Sequence, residues 1–141
     1  MAITIEFDVF GEPVGKARPR VVNGHAYTPE KTRAYEQTVR LICKTKSKGV
    51  MFDKGIPVKV GIEAYYKIPK SVSQKVRGSM LSGETEPCKK PDVDNLAKII
   101  LDSLNGLVYH DDAQVTELRV RKLYSDNPHV HVTIYCGKFT V

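Results

Sequence analysis

The sequence predicts an α+β fold: one small domain over residues 1–141, with a mixed sheet of about four strands packed against two main helices. Three observations carry that expectation. Apolar and polar residues alternate over residues 3–9 and 58–66, the two-residue period of a half-buried strand. From Leu96 to Leu104 the apolar residues recur at helical spacing instead. Two further β-rich runs then lie toward the C-terminus.

In chain order, Ile3, Ile5, Phe7 and Val9 alternate with Thr4, Glu6 and Asp8, and Gly11 and Pro13 end the strand. In Gly15-Lys16-Ala17-Arg18-Pro19-Arg20, Pro19 forbids a regular helix and pushes Arg18 toward extended backbone. Lys16, Arg18 and Arg20 would then project from one side. Thr28 reads as a helix N-cap, with Pro29 in the first helical position and Glu30 in the first turn. Tyr35, Thr38, Val39 and Ile42 form the expected apolar stripe; Lys44, Lys46 and Lys48 suit the negative end, and Gly49 stops the helix. Val58, Val60, Ile62, Ala64 and Tyr66 mark the second strand, closed by Pro69.

Residues 69–91 are rich in lysine and turn formers, with a short helix expected near 71–80. The second main helix is expected to start near Asp92–Asp94 and reach Asn105, burying Leu96, Ile99, Ile100, Ser103 and Leu104, with Gly106 as its C-terminal glycine. Strands follow near 118–124 and 130–135, and Ser125-Asp126-Asn127-Pro128 between them reads as the turn of a hairpin. His129 and His131 fall on the solvent side of the last strand, and His25 in a loop.

Charge narrows the class of partner. The net charge of +6 attracts phosphate-rich molecules and speeds their encounter without dictating the fold. Cys43, Cys88 and Cys136 are odd in number and form no C-x-x-C pair, which excludes a disulfide framework and a zinc ribbon. A zinc site from Cys88, His110 and Cys136 has no supporting spacing. No apolar run nears the roughly 20 residues of a membrane helix. The opening residues lack the character of a secretion signal, so a reducing cytoplasm is expected.

Against this basic background, acid is concentrated in one place. Asp92 and Asp94 lie at the expected start of the second helix, where negative charge is favoured, and Asp111-Asp112 follows after Gly106. Mg²⁺ is a hard cation that takes one or two carboxylates and keeps several waters. If the chain is still extended at Asp92 and Asp94, both point the same way and can flank one ion. Adjacent aspartates face opposite ways, so only one of Asp111 and Asp112 is expected to join it. Each piece alone has a bland explanation in helix capping or turn formation. Together they repel one another, and a compensating cation resolves the repulsion. Lys98, four residues after Asp94 on the same helical face, is either a surface partner for it or a cation aimed at a phosphate. His110 adjoins the acidic pair as a lesser substrate-contact candidate.

The order Asp92-Val93-Asp94-Asn95-Leu96-Ala97-Lys98, then Asp102, then Asp111-Asp112-Ala113-Gln114-Val115, resembles the RusA family of Holliday junction resolvases. Gly15-Lys16-Ala17-Arg18-Pro19-Arg20 is similar to the start of that family's Gram-positive and phage branch. The resemblance implies a RusA-like fold and a Mg²⁺-dependent homodimeric endonuclease, with Mn²⁺ able to substitute. It would nick opposing strands of four-way DNA junctions in recombination and repair, in the cytoplasm, encoded by a bacterium or a phage. Carried over residue by residue, the metal ligands fall on Asp92, Asp94 and Asp112 and the catalytic lysine on Lys98. Asp111 would hold the loop or an outer water. Lys16, Arg18, Arg20, Lys89 and Lys90 are the expected phosphate contacts. The rivals are a related nuclease for flaps or other branched DNA, and a catalytically silent DNA-binding module.

Overall fold

The structure, a computed structural model, describes residues 3–137. Its elements in order are β1 (Thr4–Phe10), β2 (Arg20–Val22), β3 (His25–Tyr27), α1 (Glu30–Ser47), β4 (Val58–Lys67), α2 (Gln74–Ser82), α3 (Val93–Leu104), a 3₁₀ turn (Asp112–Gln114), β5 (Val115–Ser125) and β6 (His129–Tyr135). A mixed four-stranded sheet runs in the order β1-β6-β4-β5, with β4 and β5 parallel and the other pairs antiparallel. The inward residues of β1, β4 and β6 are buried in one cluster with Val39 and Cys43 of α1 and Leu96, Ile99, Ile100 and Leu104 of α3. The two helices therefore cover one sheet face. Among the described residues the other face stays open, with Phe10 76% exposed.

The expected β5–β6 hairpin does not form. β4 lies between those strands, and residues 125–128 arch over its end. Ser125 O accepts the Ile68 N–H at 3.3 Å, and Pro128 O accepts the Gly11 N–H at 3.0 Å. The reason is burial: Val58, Val60, Ile62, Ala64 and Tyr66 are at most 1% exposed, so β4 takes the sheet centre. β5, with Glu117, Arg119, Arg121 and Lys122, suits an edge.

α1 starts one residue later than expected. Pro29 sits at the N-cap and no side chain caps the helix. Thr38 is exposed, its hydroxyl donating back to Ala34 O at 3.1 Å, while Thr32, Val39, Cys43 and Ser47 supply the buried face. The β2–β3 hairpin was not anticipated. Asn23 and Gly24 both have positive φ (52° and 78°), as a type I′ turn requires. The hairpin stands away from the core, with Val21, Val22 and Tyr27 all at least 46% exposed. No described helix is long and apolar enough to cross a membrane.

Candidate active site

α3 begins at Val93, between the two aspartates of the motif, so Asp92 is extended and Asp94 is already helical. The pair straddles a helix start; the extended Asp-x-Asp geometry expected from sequence is not formed. Asp92 occupies the N-cap with φ −73° and ψ 158°, yet its carboxylate caps nothing; only its carbonyl is used, accepting the Leu96 N–H at 3.0 Å.

The segment that delivers Asp92 is fixed from the sheet. The Tyr66 hydroxyl donates to Pro91 O at 2.6 Å, and the Lys122 ammonium donates to Lys89 O. Lys122 also lies 5.2 Å from the centre of the Tyr66 ring, and Lys89 lies 5.9 Å from the same ring and 6.0 Å from that of Tyr124. Burial, then the charges of Asp92 and Glu12, push the Tyr66 phenol up to about 12, so it stays a donor at neutral pH.

Residues 12–16 pass across the first turn of α3. Lys16 N–H donates to Asn95 O at 3.0 Å, and a Cβ on Gly15 would stand 2.7 Å from Pro91 Cβ. This close passage brings Glu12, Arg18 and Arg20 beside Asp92, where they line a cleft of about 690 Å³ with Lys31, Lys89 and Lys90. Arg18 and Arg20 are exposed to it. Lys16 is placed differently from its two basic neighbours. Its ammonium lies 2.9 Å from Glu36 and 3.3 Å from Asp102, tying the segment to α1 and α3. Burial alone would lower its pKa, but Glu36 and Asp102 outweigh that and raise it.

The second acidic pair divides its roles. Asp111 accepts the Ala113 N–H at 3.1 Å and closes the 3₁₀ turn. Gln114 accepts the His110 N–H at 2.8 Å and donates to the carbonyls of Asp53 and Ile56, pinning the turn to the preceding loop. The buried Tyr109, whose hydroxyl donates to Leu101 O at 2.8 Å, ties this region to α3. Its pKa is raised by burial and then by the charges of Asp112, Asp102 and Asp111.

A distinction emerges among the acids. Asp111 and Asp102 have internal partners; Asp92, Asp94 and Asp112 are exposed and, among the described residues, make no side-chain hydrogen bond or ion pair. Lys98 is likewise exposed and forms no ion pair with Asp94. Among the described residues, no three Asp, Glu, His or Cys side chains converge into a ready-made metal cage. A magnesium ion does not require one, since it takes one or two carboxylates and completes its shell with water and phosphate. Unpartnered hard oxygens on Asp92, Asp94 and Asp112 fit that donor set.

Sequence reasoning missed Tyr66, Lys122, Gly15 and Gln114 as supports, along with Glu12 at the cleft. Only Gly15 left a local signal, a glycine inside a basic segment; the other contacts span 25 residues or more or depend on a staple across strands.

Two comparisons bear on this arrangement. The chain is 40% identical over 136 residues, covering 92% of its length and 94% of the relative's, to the uncharacterized protein YqaN of Bacillus subtilis (strain 168). Residues 11–135, from just after β1 to the end of β6, match the family model described as Endodeoxyribonuclease RusA. The segment beside Asp92, α3 with Asp94 and Lys98, and the Asp112 turn all fall inside that match, and the chain belongs to the RusA endodeoxyribonuclease family.

Proposed function

We propose that this protein is a structure-selective endonuclease that resolves four-way DNA junctions by Mg²⁺-dependent paired nicking, acting as a homodimer in recombination and repair. The observation that carries the reading is the set of uncommitted charges. Among the described residues Asp92, Asp94, Asp112 and Lys98 have no structural partner, while the neighbouring Asp102 and Asp111 are engaged. Pure binding of a polyanion gains nothing from concentrated, unpartnered carboxylates, which speaks against a silent binding module.

Asp92, Asp94 and Asp112 would hold the ion, and Mn²⁺ offers the same preference for oxygen. Bound there, such an ion supplies Lewis-acid activation of the phosphate and a more acidic water. The chain's own residues do the rest. Lys98, one turn along α3 from Asp94, would donate to a phosphate oxygen and stabilise charge developing on it. Arg18, Arg20, Lys89 and Lys90 grip the backbone through the cleft beside Asp92. Tyr66 and Lys122 hold the carbonyls of Pro91 and Lys89, so the segment that delivers Asp92 is organised before DNA arrives. Lys16 serves the site through Glu36 and Asp102 by anchoring the segment that carries the arginines.

The test is incubation with a synthetic four-way junction, in Mg²⁺ against EDTA, with nicks mapped on all four arms and a flap substrate in competition. Paired nicks on opposing strands, dependent on the ion and preferred over flap cleavage, are expected. Preferential flap cutting would shift the assignment to a branched-DNA nuclease, and no cleavage of either substrate would overturn it.

A further inference from the structure

We propose that the β2–β3 hairpin is a wedge that enters the exchange point of a branched DNA, where Tyr27 and Val22 stack on bases freed from their partners. The inference rests on the function proposed above for the identity of the ligand. That this hairpin meets it follows from position, composition and shape.

Arg20, the first residue of β2, and Pro29, two residues past β3, both line the cleft beside Asp92, so the hairpin rises from the cleft wall. Arg20 and Tyr27 are directly opposed across the ladder, as are Val22 and His25. Opposed residues, and residues two apart on one strand, share a face. Arg20, Tyr27, Val22 and His25 therefore form one surface, joined to the cleft through Arg20, and Val21 and Ala26 form the other. At ~3.3 Å per residue the turn stands ~10 Å beyond Arg20, more than the depth of about 8 Å of a duplex groove.

Every residue from Arg18 to Tyr27 is exposed, and Val21, Val22 and Tyr27 put apolar surface into water that no core contact recovers. Residues 20–27 contain no acid, and Arg18, Lys31 and Arg33 flank them against Glu30 alone. An apolar surface inside an uncompensated positive field suits a ligand that is anionic along its backbone and offers flat ring faces. A nucleic acid strand with unstacked bases is such a ligand, and a closed duplex hides those faces. Past Arg20, only Asn23 and His25 of the hairpin carry side chains able to read base edges, so a ribbon laid in the groove of an intact arm would gain little.

The tip is also preset. Asn23 and Gly24 hold the left-handed backbone of a type I′ turn, so little ordering is left for insertion. The wedge then supplies a selectivity the cations lack. Arg18 and Arg20 grip any phosphate backbone, whereas a stacking surface gains affinity only where bases are already unpaired.

The test uses the full chain with a synthetic four-way junction and a linear duplex of one arm's sequence, in EDTA to hold off cleavage. Equilibrium affinities are measured for wild type, Tyr27→Ala, Val22→Ser and Arg20→Ala, with thermal unfolding of each. Tyr27→Ala is expected to weaken junction binding about tenfold, the loss of one base–aromatic stack, and to leave duplex binding unchanged. Val22→Ser should act in the same direction, and Arg20→Ala should weaken both DNAs alike. Melting temperatures should stay at the wild-type value, because the hairpin lies outside the core. A junction carrying 5-bromodeoxyuridine at the exchange point should crosslink on irradiation to the tryptic peptide of residues 21–31, and one with the analogue in the middle of an arm should not. Junction affinity unchanged in the Tyr27 and Val22 variants, equal losses on junction and duplex, or crosslinking from the arm in place of the exchange point would overturn the wedge. Nicking measured alongside in Mg²⁺ separates the two claims. A protein that nicks junctions while its Tyr27→Ala form discriminates as well as wild type overturns only the wedge. One that discriminates through Tyr27 and nicks nothing overturns only the nuclease reading.

Discussion

Adding one methyl group at Gly15 should damage the site, whereas the same change at Gly78 should help the protein. An alanine Cβ at position 15 would lie 2.7 Å from Pro91 Cβ and 3.1 Å from Asn95 Cβ. Carbon atoms prefer about 3.5–4.0 Å, so the passing segment must retreat by roughly 1 Å from the start of α3. Overpacking of this kind costs about 1–3 kcal/mol. With an unfolding entropy of about 2.1 cal/mol/K per residue, a chain of 141 residues has about 0.3 kcal/mol/K at its midpoint, so Tm should fall by about 3–10 °C. The retreat also loosens the bond from Lys16 N–H to Asn95 O and shifts the arginines against Asp92, and a misplacement near 1 Å costs on the order of 100-fold in rate. Gly78 lies inside α2 with nothing within 4 Å of a new Cβ, so alanine there should add up to ~1 kcal/mol and leave nicking unchanged. Differential scanning calorimetry and single-turnover nicking of both variants check the pair. A Gly15→Ala protein with wild-type Tm and rate would refute the close-approach argument.

Asp112→Asn should abolish Mg²⁺-dependent nicking, while Asp111→Asn should keep it, because an amide oxygen still accepts the Ala113 N–H; equal losses in the nicking assay would remove the division of roles. Lys98→Ala should slow single-turnover cleavage at least ~100-fold while junction affinity by gel shift changes little, since its charge is proposed to act in the transition state. Lys16→Met should lower stability by about 1–2 kcal/mol, because Glu36 and Asp102 lose their shared cation. The folded pKa of Lys16 lies above the ordinary lysine value of 10.5, so its contribution is complete below that pH and fades as pH rises through the folded value. Melting curves of wild type and variant should therefore converge only in strongly alkaline solution. Arg18→Ala should weaken junction binding and make the salt slope shallower by ~1; an unchanged slope would exclude the phosphate contact.

What the sequence revealed and what it concealed divide along the range of the interactions. β1, β4 and α3 are legible because their periodicity records burial against a single core, residue by residue. The β2–β3 hairpin buries nothing, so it leaves no periodic trace, and only Asn23-Gly24 announces it. Local turn chemistry at residues 125–128 identifies a reversal, but which strand lies beside β6 depends on β4, about 60 residues earlier, entering the gap. At the site, the residue types in the Asp92–Lys98 and Asp111–Gln114 motifs are readable as chemistry. The partner of each charge is not. Lys16 reads as a third cation in a basic row until α1 and α3 bring Glu36 and Asp102 to it.

That last point explains how a carboxylate-rich site survives in a folded protein. Like charges gathered at one place destabilise the folded state, and here the cost is confined to the residues proposed to hold the ion. Lys16 compensates Asp102, and the Ala113 amide engages Asp111, so the repulsion left over comes from Asp92, Asp94 and Asp112. The backbone before Asp92 is meanwhile held by Tyr66 at the Pro91 carbonyl and Lys122 at the Lys89 carbonyl, and the Asp112 turn is pinned by Gln114, whose amide donates to the carbonyls of Asp53 and Ile56 in the neighbouring loop. A loop fixed through its carbonyls keeps its position whether or not its carboxylates are compensated. Rigidity and charge are thus supplied by different atoms, and a cation arriving with DNA would relieve repulsion without having to build the site.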